Sequence, residues 1–496
     1  MPNHFTRPSI AFLWRHTDIT SAVVQMARDT GCRALFDLTL ADLEEANRSL
    51  LLADAAGDVV DVKMSVEAVL DGNLQEFLEE VDITRVWLEI HPVLLGDRLE
   101  PALEELQRLS EEFEIIPVCG NTQLITRIVQ AYPGIRHLGL KGSEASGLVS
   151  SETAFTLYGS IRELTRALAH APHLYLWGGI ATPEAAAAFL AAGAQGIVFE
   201  SVHWLTDLVN LSEEQSRRIA SIRPDHTDLI GGGLDVPARF FNKGNSKAVR
   251  ELKSFAGSLC GAEITDSRRR TFAERIVQES VSPLESSFGR DELIPLGVEA
   301  AFAGSFAKRF GSRTQDAVDR FIAEIDQCLA QAPKKLSAFV QSPLAEAMGT
   351  TYPFLQGAMS WITDVPEFAQ QVAEAGGLPT IALGLMNKET LEAKVGNIYD
   401  KVGAVYFAVN VITLAENPYR DIQLDWIRHQ RPRFTVIAAG EPSHAKELLA
   451  GGADVMYISP NEELMKMALD AGMRPSSRRR KRLCSLVTDP VLEQGR

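Results

Sequence analysis

HLYLWGGIATPEAAAAFLAAGAQGIVFESV, residues 173–202, holds one complete strand–turn–helix–strand unit. HLYLW is short and apolar, and Gly178-Gly179 ends it. Thr182 stands as an N-cap before Pro183 at the first helical position, and the alanine-rich run that follows reads as a helix. GIVFESV is then a second buried strand. Working outward, the same rhythm recurs in SIAFLW (9–14), RALFDLT (33–39), VVDVKMS (59–65), RVWLEIHP (85–92), EIIPVCG (114–120) and RHLGLKG (136–142). Helical periodicity fills the gaps, as in Ile19–Thr30, Leu40–Ala53 and Pro101–Glu112. Alternating strands and helices predict a parallel sheet with crossover helices. Eight units within roughly 200 residues fit a closed (β/α)8 TIM barrel better than an open doubly wound sheet.

Composition narrows the rest. The chain has 496 residues, 46% hydrophobic and 23% charged, which excludes global disorder, collagen and a coiled-coil rod. A formal charge of -16 repels phosphate backbones, so no nucleic-acid partner is expected. The five cysteines form no CxxC pair, so neither a disulfide framework nor a metal site is expected. MPNHFTRPSIAFLWRH lacks a signal-peptide pattern, and no apolar run reaches about 18 residues. A cytoplasmic location with no membrane partner is the expectation.

In such barrels chemistry sits where strands end. That rule selects Trp14, Asp37, Lys63, His91, Cys119, Lys141, Glu144, Gly178, Gly179, Glu200 and Ser201. The Gly178-Gly179 turn, followed by a helix N-terminus, suits a phosphate. KGSEASG (141–147) offers Lys141 as a partner for a phosphate or a flavin edge, and Glu144 to orient a neighbour.

The barrel rhythm stops near Asn210. Residues 1–209 are therefore expected to form the first TIM-barrel domain, with 1–215 folding on its own. Residues 210–340 read as a mostly helical connector. The rhythm restarts with YPFLQGAM (352–359), PTIALGL (379–385), AVYFAVN (404–410), RFTVIAAG (433–440) and DVMYIS (454–459). Residues 341–473 thus form a second, incomplete TIM-barrel-like α/β unit of five strands. Five parallel strands leave open edges, so this unit is expected to be the least stable. Residues 474–496, with their Arg474–Arg482 run, are expected to be a disordered basic tail.

The order YPFLQGAM, VAEAGGLPTIALG, FAVN, then VIAAGEPSHAKELLAGGADVMYISPNEELMKMALDAG resembles the nitronate monooxygenase (2-nitropropane dioxygenase) family. These are FMN-dependent barrels whose relatives include the flavin-dependent enoyl reductases of fatty-acid and polyketide synthases. By resemblance, Gln356, Gly357, Ala358, Met359 and Asn410 take the places that touch the flavin. The first half is similar to a more distant copy. WGGIATPEAAAAFLAAGAQGIVFES keeps Gly178 and Gly179 of the FMN phosphate grip, but carries Glu200-Ser201 at its second loop. EASGL (144–148) has leucine where the family's Glu-Ala-Gly-Gly-His motif ends in the catalytic base. The resemblance implies an FMN-dependent oxidoreductase, a nitronate monooxygenase or an enoyl reductase, with His91 as proton donor, Lys141 as flavin partner and Ser201 at the phosphate. A small molecule or acyl thioester would be the substrate and a larger synthase the assembly. The alternative is a degenerate barrel acting as a scaffold or docking unit.

Overall fold

A computed structural model of the chain describes residues 8–39, 41–55, 59–70, 74–166, 168, 170–261, 263–340, 342–402, 407–459, 461–473 and 483–486. It divides into two compact units, Met1–Ala330 and Gln331–Arg496, and the division falls inside the helix Thr314–Phe339.

The first unit holds a closed TIM barrel. Its strands are β1 (Ser9–Arg15), β2 (Arg33–Asp37), β3 (Val60–Ser65), β4 (Arg85–Glu89), β5 (Glu114–Cys119), β6 (His137–Lys141), β8 (His173–Trp177) and β9 (Gly196–Phe199). The two-residue strand β7 (Gly147–Leu148) lies outside the ring. All neighbours are parallel, their order is sequential, and β9 closes on β1. The eight strands expected from the sequence are the eight observed. Crossover helices start where hydroxyl residues cap them. Thr20 accepts from Val23 N–H, Thr153 from Thr156 N–H and Thr182 from Ala185 N–H.

Side chains alternate in and out along each strand. Ala11, Leu35, Trp87, Ile116, Tyr175 and Val198 fill the barrel's interior. A Cβ at Gly139 would come within 2.9 Å of Val118, so glycine leaves room for the Trp87 indole beside it. Below this layer the buried Asp61 carboxylate accepts from Arg33 and from Trp87 Nε1 at 2.8 Å.

The segment expected as a helical connector has two other roles. β10 (Thr227–Ile230) and β11 (Ala238–Phe241) form an antiparallel hairpin that pairs with β7. With the helices Lys247–Leu259 and Asp266–Glu279 it builds its own small core around Phe240, Leu252 and Phe272. Farther on, Phe321 of the helix Thr314–Phe339 lies 4.9 Å from Phe199 and 6.3 Å from Phe12, ring centre to ring centre. That helix covers the seam between β1 and β9, so the barrel's shell is completed more than a hundred residues after its last strand.

The second unit is an open parallel sheet in the order β12 (Thr380–Ala382), β13 (Ala408–Ile412), β14 (Phe434–Ala438), β15 (Val455–Ser459), β16 (Leu483–Leu486). Its core gathers Ile381, Val409, Val411, Ile437 and Tyr457. Two expectations change here. YPFLQGAM makes only a single parallel bridge, Leu355 to Leu378, because Gly357 and the residues around it run as a loop. The stretch expected as a disordered tail supplies β16, paired in parallel with β15. The Arg474–Arg482 run lies outside the described residues.

Candidate active site

The inward parity that packs the barrel's interior also aims Asp37, Lys63, Glu89 and Lys141 into its mouth, because each follows an inward neighbour by two residues. They line a cavity of about 710 Å³ at the strand ends, together with Trp14, Trp177, Glu200 and Ser201. The segment around Ile276–Glu285, with Pro295 and Gly297, closes over it from the roof. A smaller cavity of about 230 Å³ beside it shares Glu89, His91 and Lys141.

Glu89 is the hub of the site. Its Oε2 lies 2.9 Å from Lys63 Nζ, and its Oε1 lies 2.5 Å from Lys141 Nζ and 3.3 Å from His91 Nε2. Burial pushes the Glu89 carboxyl upward, but the Lys141 and Lys63 ammonium groups outweigh it and hold the group well below the usual carboxylate range. Lys63 is gripped a second time by Asp37 Oδ2 at 2.9 Å and by Thr39 Oγ1 at 3.1 Å. Burial works against its charge, yet Asp37 and Glu89 raise its pKa and keep it protonated. Lys141 has a different environment. Among the described residues its ammonium hydrogen-bonds Glu89; the Trp177 ring lies 5.8 Å away to the centroid, and its charge also acts on the Glu200 carboxyl.

The loops after β8 and β9 are filled from within the chain. Glu299 Oε1 accepts from Ser201 N–H at 2.7 Å and Val202 N–H at 3.0 Å. A Cβ on Gly178 would sit 2.9 Å from the Ala145 backbone nitrogen, and one on Gly179 2.8 Å from the Glu144 side chain. Val298 N–H donates to the Glu144 carbonyl at 2.9 Å, locking the roof segment against that loop. Glu200 accepts from the Ser146 hydroxyl and backbone N–H. Burial raises the carboxyls of both Glu200 and Glu299; the latter reaches about 8, with Glu200's charge adding to the rise against the pull of the Ser201 and Val202 N–H groups.

The FMN phosphate expected at Gly178, Gly179 and Ser201 does not fit this arrangement. The Ser201 and Val202 N–H groups already hold Glu299, the glycine turn is packed against Glu144-Ala145, and the buried Glu200 and Glu299 carboxyls at these loops oppose a dianion. The lining of the large cavity carries six acidic side chains against three lysines and arginines, which further disfavours an anion.

Of the expected catalytic residues, the structure brings His91 and Lys141 together on Glu89. Glu144 stands apart: its Oε2 caps the helix Ala154–Thr165 through Ala154 N–H at 2.9 Å. Cys119 is an inert thiol, pushed up to about 12 by burial. In the second unit the Gln356 side-chain carbonyl accepts from Thr380 N–H at 2.9 Å, and Asn410 donates to the Val436 carbonyl at 3.1 Å. Both amides are engaged by the sheet itself. Gly357 is open, Met359 is exposed, and Ala358 lies in the loop between them. The sequence reading missed Glu89 and Glu299. Glu89 was legible from its parity with Trp87. Glu299 was not, because 98 residues separate it from Ser201.

No family model matches the chain, and no curated protein matches it. Among solved structures, FabK from Thermotoga maritima is 16% identical and aligns over 67% of this chain and 96% of its own, with a TM-score of 0.49. The enoyl reductase domain of MlnA, from the macrolactin biosynthesis cluster of Bacillus amyloliquefaciens, is 12% identical over 66% and 95%, with a TM-score of 0.47. Nitroalkane oxidase from Streptomyces ansochromogenes is 14% identical over 64% and 94%, with a TM-score of 0.42. At such identities the chemistry of the site has to be read from its own side chains.

Proposed function

We propose that the first unit is a flavin-free barrel that binds a small carbonyl-bearing molecule at its mouth and handles protons there through Glu89, His91 and Lys141. The observation that carries this reading is the Glu299 carboxyl seated on the Ser201 and Val202 N–H groups, where a cofactor phosphate would have to be held. What is left is a cavity of about 710 Å³, large enough for an organic ligand, with two buried ammonium groups and an imidazole around the Glu89 carboxylate. Lys141 supplies hydrogen-bond donors to a ligand oxygen. Glu89 holds Lys141 in place, and His91, whose side chain is 29% exposed, links that carboxylate to solvent. Trp14 and Trp177 provide apolar walls.

The resemblance to enoyl reductases of synthases supports an acyl thioester or a related carbonyl compound as the ligand, and a larger synthase as the setting. A second reading, the FMN-dependent oxidoreductase of the nitronate monooxygenase kind, draws on the same resemblance and on the size of the cavity. Because Trp14 and Trp177 line the cavity, titration with 2-butanone or an S-acyl cysteamine thioester, followed by tryptophan emission, separates the two. A saturable change, weakened when Lys141 is replaced by methionine, supports carbonyl binding. No change with either probe, together with saturable quenching by FMN, supports the flavoenzyme.

A further inference from the structure

We propose that Lys141 is a nucleophilic amine that condenses with the carbonyl carbon of a neutral aldehyde or ketone to form a Schiff base. This rests on the reading of the mouth as a flavin-free carbonyl site and names its substrate class.

Three observations carry it. First, the two lysines on Glu89 are not equivalent. Lys63 is held by Asp37, Thr39 and Glu89, whereas among the described residues the Lys141 ammonium hydrogen-bonds Glu89 alone. Lys63 is thus committed to two carboxylates and a hydroxyl, and Lys141 is the lysine with N–H bonds left to turn toward a ligand in the cavity. Second, Lys141 is buried at the cavity wall, and an ammonium has three N–H bonds to satisfy. Among the described residues one acceptor, Glu89, meets it. An iminium has a single N–H, so the condensed form matches the one acceptor present. It also keeps the positive charge that Glu89 pairs with and that the Trp177 ring faces. Third, a proton carrier is in place, since Glu89 Oε1 contacts Lys141 and, at 3.3 Å, His91.

The step balances without another reagent. The ammonium passes a proton to the Glu89–His91 pair, and the freed Nζ electron pair forms the N–C bond as the carbonyl π pair moves to oxygen. A proton then moves from the new nitrogen to the alkoxide to give the carbinolamine, and the Glu89–His91 pair returns its own proton to the carbinolamine hydroxyl, which leaves as water while the nitrogen electron pair forms the C=N bond. Ammonium and carbonyl compound become iminium and water. The six-to-three acidic excess of the lining favours a neutral carbonyl over an anionic one.

The test treats the full chain with 2-butanone and cyanoborohydride, which reduces an iminium to a stable secondary amine, and maps alkylated lysines by peptide mass. Lys247, whose side chain is 56% exposed, serves as the internal reference. The proposal expects Lys141 to be alkylated at least about tenfold faster than Lys247. Glu89→Gln should slow labelling at Lys141 and leave Lys247 unchanged. Lys141→Arg, which keeps a cation on Glu89, should protect the chain from inactivating or stabilising effects of the ketone. Labelling at Lys141 no faster than at Lys247, in wild-type protein alone, overturns the proposal. If tryptophan emission still reports saturable ketone binding in that case, the carbonyl-site reading stands and only the covalent step falls. If the protein instead retains FMN, the site reading itself falls.

Discussion

At the scale of single residues, the site is defined by which charges are compensated. Lys63 ties Asp37 to Glu89, and replacing it with methionine leaves Asp37 with Thr39 and Glu89 with Lys141 and His91. Breaking a buried pair from one side costs about 3 kcal/mol, visible as a lower urea midpoint for Lys63→Met. Glu299 has the opposite sign. Its carboxyl is raised from 4.5 to about 8 in the folded chain. Between those values the folded state binds more protons than the unfolded one, so its contribution to stability falls as pH rises and levels off above about 8. Glu200, also raised, adds to the slope in the same direction. Glu299→Gln keeps an acceptor for Ser201 and Val202 and removes the titration. Urea midpoints at pH 5.5 and pH 8 should therefore differ less in the variant, the slope dropping by at most about 1.4 kcal/mol per pH unit. An unchanged slope would show that Glu299 is not the titrating group. Lys141, Lys63 and Asp37 were legible in the sequence because strand parity and strand ends fix them. Glu299 was not, because its partner is chosen by the path of the roof and by no local pattern.

At the scale of elements, the barrel strands were legible because parallel strands buried on both faces read as continuous apolar runs. The hairpin of β10 and β11 was not. TDLI and ARFF are four-residue strands of mixed polarity, and their apolar residues serve a core of their own. PFLQGAM misled for the converse reason, since its apolar residues line a loop with one bridge to Leu378. The turn after β8 is a close backbone approach. Gly179 has φ +69°, and a Cβ there meets the Glu144 side chain at 2.8 Å. Gly179→Ala should cost about 1–3 kcal/mol in the urea midpoint, with no flavin involved. The helix Thr314–Phe339 makes a larger contribution. Phe321 is fully buried between Phe12, Phe199 and Phe306, so Phe321→Ala should cost about 3–5 kcal/mol.

At the scale of the whole molecule, the Phe321 contacts change what counts as a barrel domain. Residues 1–215 contain every barrel strand, yet they lack the helix that covers Phe12 and Phe199. A fragment of 1–215 should therefore unfold without a cooperative transition, while 1–340 should melt sharply. The second unit keeps a five-stranded sheet with β12 and β16 at its edges, and the edges of an open sheet favour association. In the first unit Glu299 holds the Ser201 and Val202 N–H groups and the Glu144-Ala145 loop packs on the Gly178-Gly179 turn, which leaves no grip there for a cofactor phosphate. The most direct measurement is flavin per chain after the full-length protein has been equilibrated with excess FMN and dialysed. The protein should be colourless, with no retained flavin and with tryptophan emission unchanged by FMN. One FMN retained per chain, lost on replacing Gly179 by a bulky residue, would contradict this.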